Sequence, residues 1–236
     1  PDPSISISGG TTICSGGNVS LIASAGGGVS GQTYQWQRSP NGSSSWSNVG
    51  SNSSTYNTGA LTSTYYYRCQ YSASGSGCGT ATSNIETVTV NPDPYVSSNP
   101  TGGTICPGGS VSMSVTAAGG IGSYSYQWQQ YVSGSWSSIS GATNSSYSAS
   151  PPSTRDFKCR VTTGGNDCSD GYSSSATVTV NADPSCTISA NRTDACVGGS
   201  IQLSCSPSGG IGGYSYQWMK GGSDISAATN STYNVP

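Results

Sequence analysis

The chain contains no histidine, and only 7% of its 236 residues are charged. Without histidine it can form neither a Ser-His-Asp triad nor an imidazole metal site. A soluble globular domain carries about a quarter charged residues. Its nine acidic residues also do not suggest a pair placed across one glycosidic bond. The composition therefore argues against an enzyme, and we expect no catalytic residue and no cofactor.

Basic clusters and long apolar segments are missing too. The net charge is −2, and no basic patch could pair with the phosphates of a nucleic acid. No apolar run approaches the roughly 20 residues that span a bilayer. We expect no nucleic-acid partner and no membrane span in this segment.

Aromatic residues recur in a fixed setting. The tripeptide Tyr-Gln-Trp occurs at 34–36, 126–128 and 216–218, within a chain dominated by Ser, Thr, Gly and Asn. The 15 tyrosines and 5 tryptophans stand beside regular Val-Thr-Val runs. This pattern favours folded all-β units over a disordered polar chain.

The spacing of these motifs predicts an array. Trp36 and Trp128 are 92 residues apart, and Trp128 and Trp218 are 90 apart. A fixed period marks a repeat protein, and a period of roughly 90 suits a β-sandwich module. The three tryptophans are the predicted core residues. The predicted domains are residues 1–91, 92–181 and 182–236, the third lacking its last two strands.

The linkers between the repeats are short and contain proline. Each carries one carboxylate, Asp93 or Asp183, followed by a proline. Proline restricts the backbone, so we expect neighbouring repeats to be held semi-rigidly. Asp93 and Asp183 are weak calcium candidates, because Ca²⁺ takes six or more oxygen ligands.

Trp46 and Trp136 are the candidates for surface binding. They lie in a polar segment that repeat three lacks, so the fold does not require them. An exposed aromatic ring can stack on a sugar or on another chain. The alternative is that each ring covers the edge of its own sheet.

Nine cysteines in register indicate an oxidising, extracellular setting. Cys14 could pair with Cys78, closing a 64-residue loop worth roughly 4 kcal/mol. However, the second-strand turn and the last hairpin lie at opposite ends of a sandwich, and stacked repeats would bring Cys14 to Cys168 instead.

The remaining cysteines leave further pairings open. Cys69 and Cys159 are either buried thiols or the partners of Cys14 and Cys106, and the state of Cys186 is not determined. The disulfide candidates are Cys14, Cys78, Cys106, Cys168, Cys196 and Cys205.

The layout resembles an immunoglobulin-like sandwich. Trp218 follows the inward-facing Cys205 by 13 residues, and Tyr67 lies two residues before a cysteine, as in a tyrosine corner. Repeats one and two carry Ala23 and Val115 at the position of Cys205. The resemblance therefore implies tandem immunoglobulin-like β-sandwiches without the antibody-type disulfide in the two full repeats.

A more specific resemblance is to the immunoglobulin-like repeats of large Bacteroidota cell-surface proteins, which include gliding-motility adhesins exported by type IX secretion. The matching motifs are Thr12–Gly17, Tyr34–Gln37, Tyr66–Arg68, Gly77-Cys78 and the closing Thr-Val-Thr-Val. The resemblance implies a non-catalytic stalk segment of a long, adhesive protein at the cell surface. Its partners would be other repeats of the same chain, surface polysaccharide or like chains. The alternatives are a subunit of an extracellular fibre or sheath, and a carbohydrate-binding appendage of a secreted hydrolase.

Overall fold

The computed structural model describes residues 2–28, 30–74, 79–165 and 167–235, which form strands and loops and contain no helix. The strands build two closed β-sandwiches and a third, more open unit. This confirms the predicted fold class, all-β with tandem immunoglobulin-like repeats.

Repeat one is a sandwich of a three-stranded and a six-stranded sheet. Its strands are β1 (Ser4–Ser8), β2 (Thr12–Cys14), β3 (Ser20–Gly26), β4 (Ser30–Ser39), β5 (Ser47–Val49), β6 (Thr55–Asn57), β7 (Tyr65–Ser74), β8 (Thr80–Thr82) and β9 (Glu86–Asn91). The small sheet has the order β1-β3-β6, and the large one β2-β9-β7-β4-β5 with β8 on β7. Strand β2 runs parallel to β9, so the chain joins both sheets before it enters β3.

Repeat two has the same plan. Its strands are β10 (Tyr95–Ser98), β11 (Gly103–Ile105), β12 (Val111–Ser114), β13 (Thr116–Ala118), β14 (Tyr124–Val132), β15 (Ser135–Ser138), β16 (Ser146–Ala149), β17 (Arg155–Thr163), β18 (Gly171–Tyr172) and β19 (Ala176–Val180). The large sheet has the order β11-β19-β17-β14-β15, with β18 on β17. The small sheet appears as two pairs, β10-β13 and β12-β16. It divides at Val115, whose N–H bonds Ser145 O at 2.9 Å.

Repeat three keeps the first half of the plan. Its strands are β20 (Ser185–Ala190), β21 (Ile201–Ser208), β22 (Met219–Lys220), β23 (Ser223–Asp224) and β24 (Thr232–Val235). They form the sheet β20-β21-β24 and the hairpin β22-β23. Within the described residues, no strand of repeat three corresponds to β7, β8 or β9.

Each complete sandwich encloses its own core. In repeat one, Leu21, Trp36, Tyr67 and Val88 are fully buried between the sheets. In repeat two, Met113, Trp128, Phe157 and Val178 fill the same space, and the two clusters share no residue. The domain boundaries after residues 91 and 181 stay a prediction.

The Tyr-Gln-Trp motif organises each unit through its polar atoms as well as its ring. The indole Nε1 of Trp36 donates to Ser53 O at 2.9 Å, and the Tyr56 ring lies 5.8 Å from the indole, centroid to centroid. The Gln35 amide donates to Trp36 O and to Val49 O. Because a buried N–H must find an acceptor, the indole fixes the loop that follows β5. Sequence reasoning did not assign this role to the glutamine.

The same arrangement recurs in the other repeats. Trp128 donates to Asn144 O and Trp218 to Asn230 O, both at 2.9 Å. Tyr147 and Tyr233 lie 5.8 Å from their indoles. The motif is therefore a structural device of each repeat.

Tyr67 does not form a tyrosine corner. Its ring is fully buried, and its hydroxyl has no hydrogen-bond partner among the described residues. Burial, followed by the neighbouring Tyr56, raises the pKa of Tyr67 to about 12. That part of the antibody-like resemblance was wrong, because the Tyr67 hydroxyl lacks the hydrogen bond to the backbone that defines a tyrosine corner.

Candidate functional site: the junction between repeats

A disulfide joins repeats one and two. Cys14, at the end of β2, bonds Cys168, which lies 154 residues later in the hairpin after β17, with a Cα–Cα distance of 4.9 Å. Cys14 is fully buried. Of the pairings left open by the sequence, the structure forms the one between neighbouring repeats. It excludes Cys69 as the partner of Cys14.

The turn after Cys14 fits closely against that hairpin. A Cβ built on Gly17 would lie 2.8 Å from Cβ of Asp167, nearer than side chains approach one another, so the contact requires glycine. The carboxylate of Asp167 accepts the N–H of Asn18 at 3.4 Å. Asp167 itself has a φ of 60°, a left-handed conformation that aspartate tolerates better than most residues. The hairpin thus places Cys168 within bonding distance of Cys14.

The linker is held by a second set of contacts. The amide of Asn91 donates to Gly120 O at 3.4 Å, and the N–H of Gly120 donates to Pro92 O at 2.8 Å. The carboxylate of Asp93 accepts the N–H of Ser169 at 3.1 Å. The junction therefore combines one covalent bond with backbone-directed hydrogen bonds.

The second junction repeats the linker contacts. The amide of Asn181 donates to Gly210 O at 3.3 Å, and the N–H of Gly210 donates to Ala182 O at 2.7 Å. Sequence reasoning missed these residues. The signal was present, since Val-Asn closes both full repeats and Gly-Gly-Ile-Gly occurs at 119–122 and 209–212.

The calcium hypothesis for Asp93 and Asp183 stays a prediction. Asp93 is engaged by Ser169, and Asp183 is exposed. Across residues 2–28, 30–74, 79–165 and 167–235, no group of three or more Cys, Asp, Glu or His side chains could hold a metal. The physical reason is the one carboxylate that each linker supplies.

Two of the disulfide candidates, Cys106 and Cys196, are unpaired, whereas Cys205 is confirmed as a disulfide cysteine. Cys106 and Cys196 are free thiols, partly and fully exposed. Cys205 bonds Cys186 of the adjacent strand β20, a partner that the sequence had not identified. The antibody-type bridge is thus absent from repeat three as well, because Cys205 is tied within its own sheet. Cys78 lies outside the described residues.

The inward cysteines of the full repeats remain thiols. Cys69 and Cys159 are fully buried, directly opposite Trp36 and Trp128 on the neighbouring strands. Burial raises the pKa of each thiol to about 11. They act as small core side chains.

Trp46 and Trp136 are half-buried and covered by cations. The Arg68 guanidinium lies 4.1 Å from the Trp46 ring centroid and also donates to Gln37 at 2.8 Å. The Lys158 ammonium lies 4.5 Å from the Trp136 ring centroid. A ring face occupied by a cation is not free to stack on a sugar. The structure places both tryptophans beside cations of their own sheets, and their role in surface binding stays a prediction.

Among the described residues, no helix is long and apolar enough to cross a membrane.

Comparisons with known proteins give the fold and the family. No curated protein matches the chain. A three-domain I-band fragment of titin covers 99% of this chain and 86% of its own length, with 12% identity and a TM-score of 0.51. A Glu-to-Ala variant of that fragment covers 98% and 87%, with 11% identity and a TM-score of 0.50. The three N-terminal domains of the bacteriophage RB49 outer capsid protein Hoc cover 90% and 70%, with 14% identity and a TM-score of 0.49.

At these identities the titin likeness establishes tandem immunoglobulin-like domains and nothing about activity. A family model described as "Domain of unknown function (DUF8696)" matches residues 4–92 and again residues 97–182. These two matches together cover most of the chain, and each contains one complete sandwich core. The chain therefore belongs to the DUF8696 family, whose domain it matches twice.

Proposed function

We propose that this chain is a non-catalytic, load-bearing stalk segment of a long extracellular repeat protein. The observation that carries the proposal is the Cys14–Cys168 bond across the first junction. Tension applied to the two ends passes from Cys14 directly to Cys168. The residues between them, which include most of both cores, are not stretched.

The linker contacts serve the same role. The side-chain amides of Asn91 and Asn181 hydrogen-bond the next repeat at Gly120 O and Gly210 O, and the second junction reproduces the first. In a repeat array each unit interacts with its neighbours, so one junction geometry propagates along the chain. Stalks need such repetition, whereas a single binding module does not.

We place this stalk at the cell surface. Disulfides persist in oxidising compartments, and low charge with abundant Ser, Thr and Tyr gives a hydrated face. The resemblance to Bacteroidota surface repeats extends the proposal to a gliding-motility adhesin exported by type IX secretion. Adhesion would then involve surface polysaccharide or like chains, through a region other than the cation-covered tryptophans.

Pulling the single chain from its ends tests the load-bearing role. The bond spans 154 residues, and since an extended chain reaches at most about 3.6 Å per residue, it shortens the fully stretched molecule by about 55 nm. We expect the oxidised chain to lack the unfolding events of repeats one and two. After reduction, or in the double variant Cys14→Ser/Cys168→Ser, both events and the missing length appear.

Unfolding of repeat three provides the internal control for the double variant, which leaves the Cys186–Cys205 bond of that repeat intact, whereas reduction opens both disulfides. An oxidised chain as long as the reduced one would overturn the load-bearing proposal.

The carbohydrate-binding alternative has its own test. We expect Trp46→Ala and Trp136→Ala to leave glycan binding unchanged on an array of surface polysaccharides. Binding that is present in the parent chain and lost in these variants would favour the appendage over the stalk.

A further inference from the structure

A groove crosses the outer face of the large sheet in repeat two. It has a volume of about 290 Å³ and extends over three neighbouring strands, β15, β14 and β17. Side chains alternate along a strand, so the neighbours of the inward-facing Trp128 and Cys159 point away from the core. Besides Tyr126, the side chains that line this outer groove are Ser125, Gln127, Ser138, Arg160 and Thr162.

The guanidinium of Arg160 has free donors in the outer groove. The Asp170 carboxylate lies 3.4 Å from its Nε, as an ion pair without a hydrogen bond, and the Arg160 side chain is 43% exposed. Within the described part of the chain, none of its side-chain N–H groups has a hydrogen-bond partner. By contrast, Arg68 and Arg155 each donate to a glutamine at 2.8 Å. A guanidinium that its own sheet leaves unpaired can bind a carboxylate through two parallel hydrogen bonds.

Neutral polar groups surround this guanidinium. The Gln127 amide donates to Trp128 O at 2.9 Å and to Ile139 O at 2.8 Å, so its orientation is fixed and its Oε1 is left as an acceptor. Ser125 and Ser138 are exposed, and each hydroxyl can both donate and accept. The hydroxyl groups of a sugar need this combination, because they also donate and accept.

Repeat one does not have the same chemistry at the equivalent positions. Gln70 occupies the position of Arg160, one residue after the inward cysteine. Asn48 corresponds to Ser138, and it accepts a hydrogen bond from the Gln37 amide at 2.9 Å. The outer face of repeat one is therefore neutral where repeat two is charged, and its amides bond one another.

We propose that the outer groove binds a uronate, a sugar unit with a carboxylate, within an acidic polysaccharide. The Arg160 guanidinium donates to the carboxylate, while Gln127 Oε1 and the serine hydroxyls bond the ring hydroxyls. Tyr172, which is 48% exposed and lies opposite Arg160 on β18, flanks the bound sugar. The volume lies near the lower end of small-molecule sites, at roughly 300 Å³, so the groove holds a single unit of the polymer.

Other anionic polymers fit the outer groove less well. It lies on the face of paired strands, so an acidic peptide cannot add to the sheet there as a further strand. A nucleic acid needs several cations along its backbone. Here Arg160 stands beside Asp170, and the Lys158 ammonium is engaged by the rings of Trp136 and Tyr172.

This inference rests on the proposed adhesive stalk and names a surface and a ligand class for its adhesion. It also assigns the two complete repeats different roles. Both contribute a sandwich to the stalk, whereas the uronate site belongs to repeat two alone, because it depends on Arg160.

Titration of the full oxidised chain with three uronate oligosaccharides tests the proposal. The probes are oligogalacturonate, oligomannuronate and hyaluronan fragments, which contain glucuronate. We expect at least one of them to bind and to shift the amide resonances of residues 125–127 and 160–162. Methyl esterification of that probe removes the charge and keeps the hydroxyls, so it should weaken binding about tenfold or more, the worth of a hydrogen bond to a charged group.

Three variants show whether Arg160 carries the binding. Arg160→Gln installs the residue of repeat one and should weaken binding about tenfold or more. Arg68→Gln is the matched control, because it removes one positive charge from the same face of repeat one, and it should leave the affinity unchanged. Asp170→Asn removes the carboxylate that competes for the guanidinium, so it should tighten binding about twofold or more. Denaturant unfolding verifies that each variant is folded.

Four results would overturn the proposal. They are no binding of any of the three probes, equal affinity for the acid and its methyl ester, equal losses from Arg160→Gln and Arg68→Gln, and tighter binding of polyglutamate at the same residues. None of them would alter the length difference expected from Cys14–Cys168, so the stalk proposal is judged separately.

Discussion

At the scale of single residues, two classes of tryptophan differ in their surroundings. Trp36 is fully buried and donates its indole N–H to Ser53 O. Trp46 is half-buried at the surface, beneath the Arg68 guanidinium. The same side chain should therefore contribute very differently to stability at these two positions.

Replacing Trp36 by alanine should destabilise repeat one by roughly 3–5 kcal/mol, since it leaves a large cavity and an unpaired carbonyl. Replacing Trp46 by alanine should cost about 1 kcal/mol or less, the value of an exposed cation–π contact. Denaturant unfolding of both variants measures the two costs. Similar costs would contradict the assignment of Trp36 to the core and Trp46 to the surface.

The buried thiols give a pH-dependent prediction. The pKa of Cys69 and of Cys159 is raised to about 11 by burial, above the usual value of about 8.5. The native chain therefore holds these protons at a pH where the unfolded chain has lost them. The free energy of unfolding should fall as the pH rises from about 9 to about 11.

Alkylation of the native chain provides the measurement. At pH 8 we expect iodoacetamide to label the exposed Cys196 and to leave Cys69 and Cys159 unmodified. Labelling of the buried pair should become appreciable only as the pH approaches 11. Equal labelling of the three cysteines at pH 8 would show that the core opens freely.

At the scale of structural elements, the Cys-x-Gly-Gly turn does two jobs. It precedes β3, β12 and β21 in the three repeats, and in repeat one it also contacts the hairpin of repeat two at Asp167. The second glycine of the turn in repeat one, Gly17, is therefore constrained by Asp167 of the neighbouring repeat. The equivalent Gly109 in repeat two is constrained by residues of its own turn. Substitution at the two positions separates these effects.

Gly17→Ala should lower the yield of the Cys14–Cys168 bond, because the new methyl group would displace Asp167 and the adjacent cysteine. Refolding in a glutathione buffer followed by peptide mapping gives the yield. Gly109→Ala is the matched control, since its Cβ would meet Ile105 and Cys106 of its own turn at 3.0 Å and nothing in the first junction. Equal yields from both variants would argue against the close fit at the junction.

At the scale of the whole molecule, the two disulfides act over different lengths of chain. Cys14–Cys168 closes a loop across two cores, whereas Cys186–Cys205 closes 19 residues within one sheet. On the chain-entropy estimate the long loop is worth about 5 kcal/mol and the short one about 3. The long bridge also couples two sandwiches that share no core residue.

Removing the long bridge with Cys14→Ser/Cys168→Ser should lower the melting temperature of repeats one and two and leave repeat three unchanged. Cys186→Ser/Cys205→Ser should lower the melting temperature of repeat three and leave that of repeats one and two unchanged. Scanning calorimetry of the two double variants resolves the affected transition. Loss of stability in all three repeats from either change would mean that the units unfold as one.

Local patterns were enough to predict the architecture. Alternating apolar residues, such as Leu21 and Ala23 in β3, and the spacing of the three Tyr-Gln-Trp motifs indicated tandem all-β sandwiches with tryptophan at the centre. These features depend on residues near one another in the chain, because side chains alternate along a strand and each sandwich repeats its own pattern. Sequence reasoning could therefore find them.

By itself, then, the amino-acid sequence determined the fold class, the repeat period and the turn chemistry of this protein. Only the tertiary structure decided that Cys14 meets Cys168 rather than Cys78, that Cys205 meets Cys186, that Tyr67 lies in the core, and that Arg68 covers Trp46. Each of these outcomes depends on how sheets and neighbouring repeats are placed in space. Composition and spacing along the chain do not specify that placement, because a disulfide or a stacked cation requires a few ångströms of proximity, whatever the separation in sequence.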